Sequence, residues 1–371
     1  MKVVISGYIG KKITGIGRNL ICLLDNVKDD TEFVIYTNYD MKDSLIFKNK
    51  NVSVKTYKVS KNSSLKNLLW TTFIFPFKVL KEKADKALIP NFSLLLFKFK
   101  PTIIIMHDLI EFNVPNKFSK KKMFYRTKLA DPITAKRANH IITVSENSKR
   151  DIEKFLSINE KKITVIYNGV DQNKFSKMDH NKALKIFSEK KWPINYILYA
   201  GTIDHPGKNS ISVIKAFEEL KKAEKYDGNL ILAGMPGSGF EVVKNYIDNS
   251  IYKNEIIITG YVSDEELIAL YSKCDVFCFV SLYEGFGIPP LEAIACGAKT
   301  IVSNTSSLPE VVGNIGKTVN PTDYIKLSEL IVETIKEGDS VGKNDELKRH
   351  LDRYNWEKLS KKFIEVIKEN G

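Results

Sequence analysis

The stretch Glu284-Gly285-Phe286-Gly287-Ile288-Pro289-Pro290-Leu291-Glu292 is the most informative part of the chain. Its two carboxylates lie eight positions apart, and an uninterrupted helix would place them on different faces. The glycines favour a bare loop over 285–288. The prolines favour a helix that begins near Pro289 or Pro290, because the N–H group that a proline lacks has no partner within the first turn of a helix. Free N–H groups at such a helix start attract an anion. An anion flanked by two hydroxyl-binding carboxylates is what a nucleotide sugar requires.

This stretch resembles the E-x7-E signature of the retaining glycosyltransferases of family four, which have the two-lobed GT-B fold. The resemblance covers nearly the whole chain, because further family motifs follow in the family's order and at its usual separations: Thr14-Gly15-Ile16-Gly17-Arg18, His107-Asp108-Leu109, Thr143–Lys149, Tyr167–Asp171 and Gly201–Asn209. It implies an α/β protein with two Rossmann-like domains that face each other across a cleft. It also implies a C-terminal helix that crosses back to the first domain.

Length and composition agree with two soluble domains. A chain of 371 residues is long for one core, so two domains of about 180 residues each are expected. The hydrophobic share of 43% and the charged share of 27% are ordinary for a globular protein. We predict an acceptor-binding domain over 1–178, joined by the crossover helix 356–371, and a nucleotide-sugar-binding domain over 179–355. The polar, lysine-rich stretch 171–193 is interpreted as the linker.

Short apolar runs alternate with amphipathic stretches, which is typical of βα units around parallel sheets. The predicted strands are Lys2–Ser6, Phe33–Tyr36, Val52–Tyr57, Lys86–Ile89, Thr102–Met106, His140–Val144, Ile163–Ile166, Tyr196–Ala200, Leu230–Ala233, Ile256–Thr259, Val276–Val280 and Thr300–Ser303. The predicted helices are Gly17–Asn26, Ser64–Glu82, Phe118–Ala138, Glu146–Phe155, Lys208–Glu224, Gly239–Ser250, Asp264–Cys274, Pro290–Cys296, Tyr324–Lys336 and Trp356–Asn370. Ser145 stands at the N-cap position of the fourth of these.

Charge is distributed unevenly along the chain. Residues 1–180 hold 33 Lys and Arg against 17 Asp and Glu, whereas residues 181–371 hold 24 against 27. The basic excess concentrates in Lys55–Lys100 and Lys117–Arg137, and such a face suits an anionic membrane surface. A solvated lysine-rich surface is the alternative interpretation. Nucleic acid is not expected, because no recognised binding motif accompanies the charge.

Four cysteines show no disulfide spacing, and the C-x3-C pair Cys274 and Cys278 has no further ligand close in sequence, so we expect no metal. Reduced thiols favour a cytoplasmic protein. The chain enters a strand pattern at once, without an export signal. Its most apolar run, Leu68–Leu80, is far shorter than the about 20 residues that span a bilayer. We therefore predict a cytoplasmic protein that contacts the inner face of the plasma membrane peripherally.

A departing diphosphate needs positive charge nearby. Many glycosyltransferases supply it with a metal bound by D-x-D, a motif that this chain lacks. The resemblance assigns the diphosphate to Lys208; the alternative is a surface lysine at a helix start. Many relatives carry arginines six residues before this lysine and directly ahead of it, whereas this chain has Thr202 and Gly207. We predict that Arg18 replaces these arginines as a cationic hydrogen-bond donor to the diphosphate.

By resemblance, Glu292 accepts hydrogen bonds from the ribose hydroxyls and Glu284 from the transferred sugar. The alternative for Glu292 is a glutamate that stabilises the helix dipole. The alternative for Glu284 is a solvent-facing loop acid. Further donor contacts implied by the family come from the backbone of Phe286, Gly287 and Ile288, with Tyr261-Val262 near the nucleobase. No separate cofactor is expected, since the donor, a UDP-, GDP- or dTDP-sugar, is itself a substrate.

In the first domain, Gly15 and Gly17 favour a close backbone approach to the donor and acceptor. They do not indicate a dinucleotide site, because Leu20 stands where a third glycine is required. His107 ends a strand at the sheet edge where open sheets bind ligands, and the family places this histidine beside the reacting centre. A strand-end histidine satisfied by its neighbours is the alternative. Asp108 is interpreted as a residue that holds the loop.

The resemblance implies transfer of a hexose to a glycan acceptor with retention of configuration, catalysed by Lys208, Glu284 and His107 without a protein nucleophile. A lipid-linked oligosaccharide of O-antigen or capsule synthesis is the expected acceptor, bound by loops near Ile9–Lys12 and Leu109–Phe118. A nucleotide-sugar 2-epimerase is the alternative enzyme. A non-catalytic glycan- or membrane-binding protein and a nicotinamide dehydrogenase are less well supported by the motifs.

Overall fold

A computed structural model describes residues 1–7, 15–38, 45–57, 69–90, 94–114, 119–337 and 343–370, with the side chains of 343 and 344 excepted. The predicted acceptor segments Ile9–Lys12 and 115–118 lie outside these residues, as do parts of the helices predicted from Ser64 and from Phe118. The chain divides into two units, Met1–Gly169 with Tyr354–Gly371, and Val170–Arg353. The predicted boundary at 178/179 differs from this division, which assigns residues 170–178 to the second unit.

The first unit is built on a parallel sheet. Its strands are β1 (Lys2–Ser6), β2 (Glu32–Asn38), β3 (Val52–Tyr57), β4 (Lys86–Ile89), β5 (Thr102–Met106), β6 (His140–Thr143) and β7 (Ile163–Val165). Its helices are α1 (Gly15–Asp25), α2 (Phe75–Lys81), α3 (Ile110–Asn113), α4 (Lys120–Phe124), α5 (Asp131–Arg137), α6 (Glu146–Leu156) and, from the C-terminus, α15 (Trp356–Glu369). π-helical turns at Trp70–Ile74 and Tyr125–Ala130 precede α2 and α5.

The second unit repeats this architecture. Its strands are β8 (Tyr196–Ala200), β9 (Asn229–Ala233), β10 (Ile256–Gly260), β11 (Val276–Phe279), β12 (Thr300–Ser303) and β13 (Lys317–Val319). Its helices are α7 (His180–Lys190), α8 (Ser210–Lys222), α9 (Phe240–Asp248), α10 (Asp264–Lys273), α11 (Ile288–Ala295), α12 (Leu308–Val312), α13 (Tyr324–Lys336) and α14 (Lys343–Asp352).

Both sheets have the strand order of a Rossmann fold. The first runs β3-β2-β1-β4-β5-β6-β7 and the second β10-β9-β8-β11-β12-β13, with parallel neighbours throughout. In each sheet the order reverses beside the unit's first strand, between β1 and β4 and between β8 and β11. Open sheets bind ligands at the carboxyl ends of the strands at this switch point. The predicted α/β class with two Rossmann-like domains is confirmed.

Alternate residues of the first sheet pack against opposite layers of helices. Val3 and Ile5 of β1 belong to one core cluster and Val4 to another, as the two-residue repeat of a strand requires. The C-terminal helix α15 packs against α1 and buries Phe363 and Ile367 in the first of these clusters. The predicted return of this helix to the first unit is therefore confirmed.

Several local predictions need correction. The stretch 171–193 is not a plain linker, because it contains α7, whose Ala183 and Phe187 are buried in the second unit. The helix predicted over Phe118–Ala138 is interrupted in its described part by the π turn, and β13, α12 and α14 were not predicted. Ser145 does cap α6, since its hydroxyl accepts a hydrogen bond from the Ser148 N–H.

Candidate active site

The switch point of the second sheet brings the two central motifs together. The loop that follows β8 carries Lys208, and the loop that follows the neighbouring strand β11 carries Glu284. The two loops are tied by a hydrogen bond from the Leu282 N–H to the Gly207 carbonyl, at 3.0 Å. Residues 76 positions apart thus meet at the sheet edge where ligands bind.

Lys208 and Glu284 form an ion pair. The ammonium Nζ lies 2.7 Å from Oε1 and 2.9 Å from Oε2 of the carboxylate. The side chains are only 29% and 13% exposed, so water screens the pair less than it would a surface pair. Nζ also lies 5.5 Å above the centre of the Phe279 ring, within cation–π range. Glu284 is therefore not the solvent-facing loop acid that was the alternative interpretation.

The backbone around Lys208 is held in place by buried groups. Gly201 has a φ of +148°, and Gly234 lies so close to it that a Cβ on Gly234 would stand 1.9 Å from the Gly201 carbonyl oxygen. Asp204 is buried, and its carboxylate accepts a hydrogen bond of 2.7 Å from the Lys208 N–H. Asn209, at the start of α8, donates to the carbonyls of Val280 and Pro321. The lysine thus projects from a rigid loop.

Hydroxyl groups from a third loop fix the backbone of Glu284. The Ser306 Oγ accepts a hydrogen bond of 3.0 Å from the Glu284 N–H. The fully buried Ser307 lies within hydrogen-bond distance of two carbonyls, that of Glu284 at 2.9 Å and that of Phe286 at 2.6 Å. The sequence analysis missed these serines, although Ser-Ser ahead of Leu308-Pro309 is a helix-start pattern that points to them.

Gly287 and the helix α11 follow in the predicted order. Gly287 has a φ of +109°, and the helix begins at Ile288, one position before Pro289 and two before the predicted bound Pro290. Pro289 and Pro290 occupy its first turn and have no N–H, so this helix end offers fewer donors than an ordinary one. Phe286 and Gly287 are buried and Ile288 is half-buried.

Glu292 lies in α11. It is half-buried and lies beside the phenol of Tyr271, whose pKa is raised by burial and by the negative charge of Glu292. Thr202 is exposed, and its carbonyl accepts a hydrogen bond of 2.9 Å from the Tyr199 hydroxyl. Val262 is half-buried in the loop after β10.

In the first unit, His107 lies at the carboxyl end of β5, as predicted. Its Nε2 lies 3.2 Å from the carbonyl oxygen of Pro90, which follows β4. Burial lowers the pKa of His107 to about 4, so the imidazole is neutral near pH 7 and its Nε2–H can donate to this carbonyl. Ser148, at the start of α6, donates to the His107 carbonyl, and Asp108 accepts from the Ile110 N–H.

The glycine motif of the first unit opens α1. Gly15 begins the helix, Gly17 is buried and Arg18 is exposed. The adjacent Asn19 is buried, and its amide donates to the side-chain oxygen of Asn168, which is also buried. This amide pair joins the residue that follows the glycine motif to the motif Tyr167–Asp171, and no role was predicted for either asparagine.

A buried charged cluster lies next to the His107 loop. Glu111 and Asp131 are each 3% exposed, and Nη2 of Arg126 is 2.7 Å from Oε1 of Glu111. Burial and the neighbouring Glu111 raise the pKa of Asp131 to about 9, against the opposing effect of Arg126. Asp131 is therefore protonated at neutral pH, beside the Glu111–Arg126 ion pair. Nothing in the sequence pattern separated these residues from surface charges.

The cysteines are all free, with Cys278 and Cys296 buried and Cys22 and Cys274 half-buried. Burial raises the pKa of the Cys278 thiol, so it stays protonated. Within the described residues, no three His, Cys, Asp or Glu side chains are grouped to hold a metal ion.

Two family models match consecutive parts of the chain. The model described as "Glycosyltransferase Family 4" matches residues 37–174, and "Glycosyl transferases group 1" matches residues 182–355. The second match contains the Lys208–Glu284 pair and α11, and the first contains His107 and the buried cluster.

Characterised relatives agree with these matches. The O-antigen chain mannosyltransferase RfbU of Salmonella typhimurium is 32% identical over 267 residues, which cover 71% of this chain and 70% of RfbU. The serotype-specific mannosyltransferase WbdA of Escherichia coli is 32% identical over 231 residues, or 60% of this chain, and the match spans only 28% of the length of WbdA.

A solved structure is similar in fold to this chain over nearly its whole length. Anabaena Alr3699/HepE, crystallised with UDP and glucose, superposes with a TM-score of 0.72 at 17% identity, covering 99% of each chain. This likeness concerns the fold alone. Since the chain is 32% identical to RfbU over more than two thirds of that protein, and the two glycosyltransferase family models together match most of its length, we conclude that it belongs to the family 4 glycosyltransferases.

Proposed function

We propose that the protein transfers a hexose from a nucleotide-diphosphate sugar to a glycan acceptor. The observation that carries this proposal is the half-buried Lys208–Glu284 ion pair at the switch point of the second sheet. An ammonium group suits a diphosphate, and a carboxylate suits the hydroxyls of a sugar, so one pair serves both ends of the bond to be broken.

The residue roles follow from this chemistry. Lys208 binds the diphosphate together with the N–H groups of Phe286, Gly287 and Ile288. Glu284 accepts hydrogen bonds from the transferred sugar, and Glu292 accepts them from the ribose. The rigid backbone around Glu284 supports this assignment, because a preorganised acceptor costs little reorganisation when the donor binds. Val262 and Thr202 are proposed to contact the donor as well.

The proposed reaction retains the anomeric configuration and uses no metal. The bond from the anomeric carbon to the diphosphate oxygen breaks, and a bond to the acceptor oxygen forms on the same face. The acceptor proton passes to the departing diphosphate, which makes a protein nucleophile unnecessary. The positive charge of Lys208 stabilises the charge that develops on the leaving group. His107 and Arg18 remain candidate catalytic and donor-binding residues.

The acceptor is proposed to be a lipid-linked oligosaccharide of O-antigen or capsule synthesis. RfbU and WbdA are named as mannosyltransferases of O-antigen and serotype-specific glycans, which favours a mannosyl donor for the first test. HepE was crystallised with UDP and glucose, so UDP-glucose is the second. Neither matched family is described as an epimerase, so the 2-epimerase alternative lacks comparable support.

We further propose that transfer occurs at the cytoplasmic face of the plasma membrane, where a lipid-linked acceptor is found. The basic excess of residues 1–180 supports this location. Among the helices that the structure describes, none combines the length and apolar character needed to cross a bilayer.

A donor screen tests the proposed activity. Purified protein is incubated with GDP-, UDP- and dTDP-hexoses and a membrane extract, and released nucleotide and labelled glycolipid are measured. Lys208→Met and Glu284→Gln should each lower turnover at least about a hundredfold, as expected for the loss of one electrostatic contact to the transition state. Lys225→Met, at an exposed site of the same unit, is the control. Donor consumption without acceptor, or full activity of Lys208→Met, would refute the proposal.

A further inference from the structure

An exposed apolar face lies on α2 and on the π-helical turn that precedes it. Its members are large apolar side chains that stand outward from the first unit, and we call them the aromatic face: Leu69, Phe73, Ile74, Phe77, Leu80 and Phe97. Phe77 is 65% exposed and Phe73 59%. A soluble surface rarely gathers several such side chains without a partner.

The face is continuous and rigidly supported. The positions 69, 73, 77 and 80 recur at helical spacing, so they line one side of the segment. Phe97 joins them from another loop, with its ring centre 6.3 Å from that of Phe73. On the opposite side Trp70 is buried, stacks on Tyr57 at 3.4 Å and donates to the Ser6 hydroxyl. The exposed side chains therefore belong to a fixed helix and not to a frayed end.

Lysines adjacent in sequence to the aromatic face are exposed, and the nearby acids Glu82 and Asp85 bind other groups. Lys81, Lys83 and Lys98 are exposed and form no ion pair with any described residue. The Glu82 carboxylate accepts hydrogen bonds from the Lys55 ammonium at 2.6 Å and from the Tyr36 hydroxyl at 2.5 Å. Asp85 accepts from the Lys2 backbone N–H. The positive charge at the rim is therefore available to a partner.

We infer that the aromatic face is the surface by which the protein inserts into the headgroup region of an anionic bilayer. Phenylalanine and leucine flanked by lysine are the composition of helices that lie in this region. The charge at the rim complements anionic lipid. The inference rests on the proposed membrane location of the acceptor, and it names the side chains that would hold the protein there.

Vesicle binding tests the inference directly. The full chain is sedimented with vesicles of phosphatidylcholine alone and with vesicles that contain phosphatidylglycerol in equal parts. Binding is expected only to the anionic vesicles and should weaken with salt. Phe73→Ser with Phe77→Ser should lower the partition coefficient about tenfold per residue. Replacing Lys81, Lys83 and Lys98 by Gln should lower it about fivefold per residue.

Matched controls come from the second unit. Ile251 is 83% exposed, and Ile251→Ser should leave vesicle binding unchanged. Replacing the exposed Lys225, Lys244 and Lys253 by Gln removes the same charge and should weaken binding much less. Phe77→Trp adds an indole whose emission should shift to the blue and be quenched by brominated lipid.

The outcomes separate this inference from the proposed function. Loss of vesicle binding in the Phe73 and Phe77 variant, with unchanged nucleotide binding, supports the aromatic face. Equal binding of this variant and the Ile251 control would overturn it, as would an indole at position 77 that lipid does not quench. A dimer in light scattering that the same variant dissociates, without vesicle binding, would assign the face to a second copy of the chain. Nucleotide binding tests the active site independently of all these results.

Discussion

The buried cluster of Glu111, Arg126 and Asp131 makes the stability of the first unit depend on pH. Asp131 is 3% exposed, and its pKa in the folded protein is about 9, against an ordinary value of 3.8. Folding therefore forces this carboxyl to take up a proton at neutral pH. Asp131→Asn places a neutral amide of nearly the same shape at the site and removes the need for that proton.

The magnitude follows from the two pKa values. Because the folded pKa is raised, the stability contributed by protonated Asp131 is complete below about pH 3.8 and is lost as the pH rises towards 9. The loss is about 1.4 kcal/mol per pH unit, or about 4 kcal/mol at pH 7 as an upper bound. Asp131→Asn should therefore equal the wild type near pH 4 and exceed it increasingly between pH 5 and pH 8.

Urea unfolding followed by tryptophan fluorescence measures this difference. In a Trp192→Phe background both remaining tryptophans, Trp70 and Trp356, lie in the first unit and report on that unit alone. Asp30→Asn, at an exposed site of the same unit, serves as the control and should show no such trend. A stability difference for Asp131→Asn that stays constant from pH 5 to pH 8 would refute the assignment of a protonated Asp131.

Three further results are expected. Gly234→Ala should destabilise the second unit by about 2 kcal/mol or more, measured by urea unfolding, because its Cβ would stand 1.9 Å from the Gly201 carbonyl oxygen. His107 should stay neutral down to about pH 5 in an NMR titration, because burial lowers its pKa to about 4; a midpoint near 6.5 would contradict this. Thr202→Arg should tighten nucleotide binding about tenfold in calorimetry by adding a cation near Lys208, whereas Thr202→Gln should not.

The buried parallel strands were predictable because their sequences are uninterrupted apolar runs. The bounds of β1, β4 and β5 agree with the prediction residue for residue. Helix α7 was missed because only Ala183 and Phe187 of its lysine-rich sequence are buried, too few to show a helical period. The amphipathic tail, with Phe363 and Ile367 on one side, was recognised.

The π turns could not be read from periodicity, although their cause is visible in the sequence. Each is followed directly by a segment with proline in its first turn, Pro76 in α2 and Pro132 in α5. A proline inside a continuous helix has no N–H and clashes with the carbonyl of the preceding turn. A widened turn ahead of the proline accommodates this clash without ending the helix.

Residue types in the candidate site were predictable, but their partners were not. Lys208 and Glu284 are 76 positions apart, and only the adjacency of β8 and β11 brings them together. The hydrogen bonds of Ser307 and the raised pKa of Asp131 depend likewise on contacts between distant parts of the chain, which a local sequence pattern does not reveal. Sequence motifs therefore indicated candidate residues, and the fold brings Lys208 and Glu284 among them into contact.

Under the proposed function, the Lys208–Glu284 pair affects which ligand the site binds. Without a ligand, the carboxylate already neutralises much of the ammonium charge at 2.7 Å. Pro289 and Pro290 remove two N–H groups from the first turn of α11, and Thr202 adds no charge. A nucleoside diphosphate alone must therefore compete with Glu284 for Lys208. A complete nucleotide sugar offers phosphate oxygens to the lysine and hydroxyl donors to the glutamate, so both members of the pair remain satisfied. Under the proposed function, this arrangement makes the site select the intact donor over the spent nucleotide, and it favours release of the product after transfer.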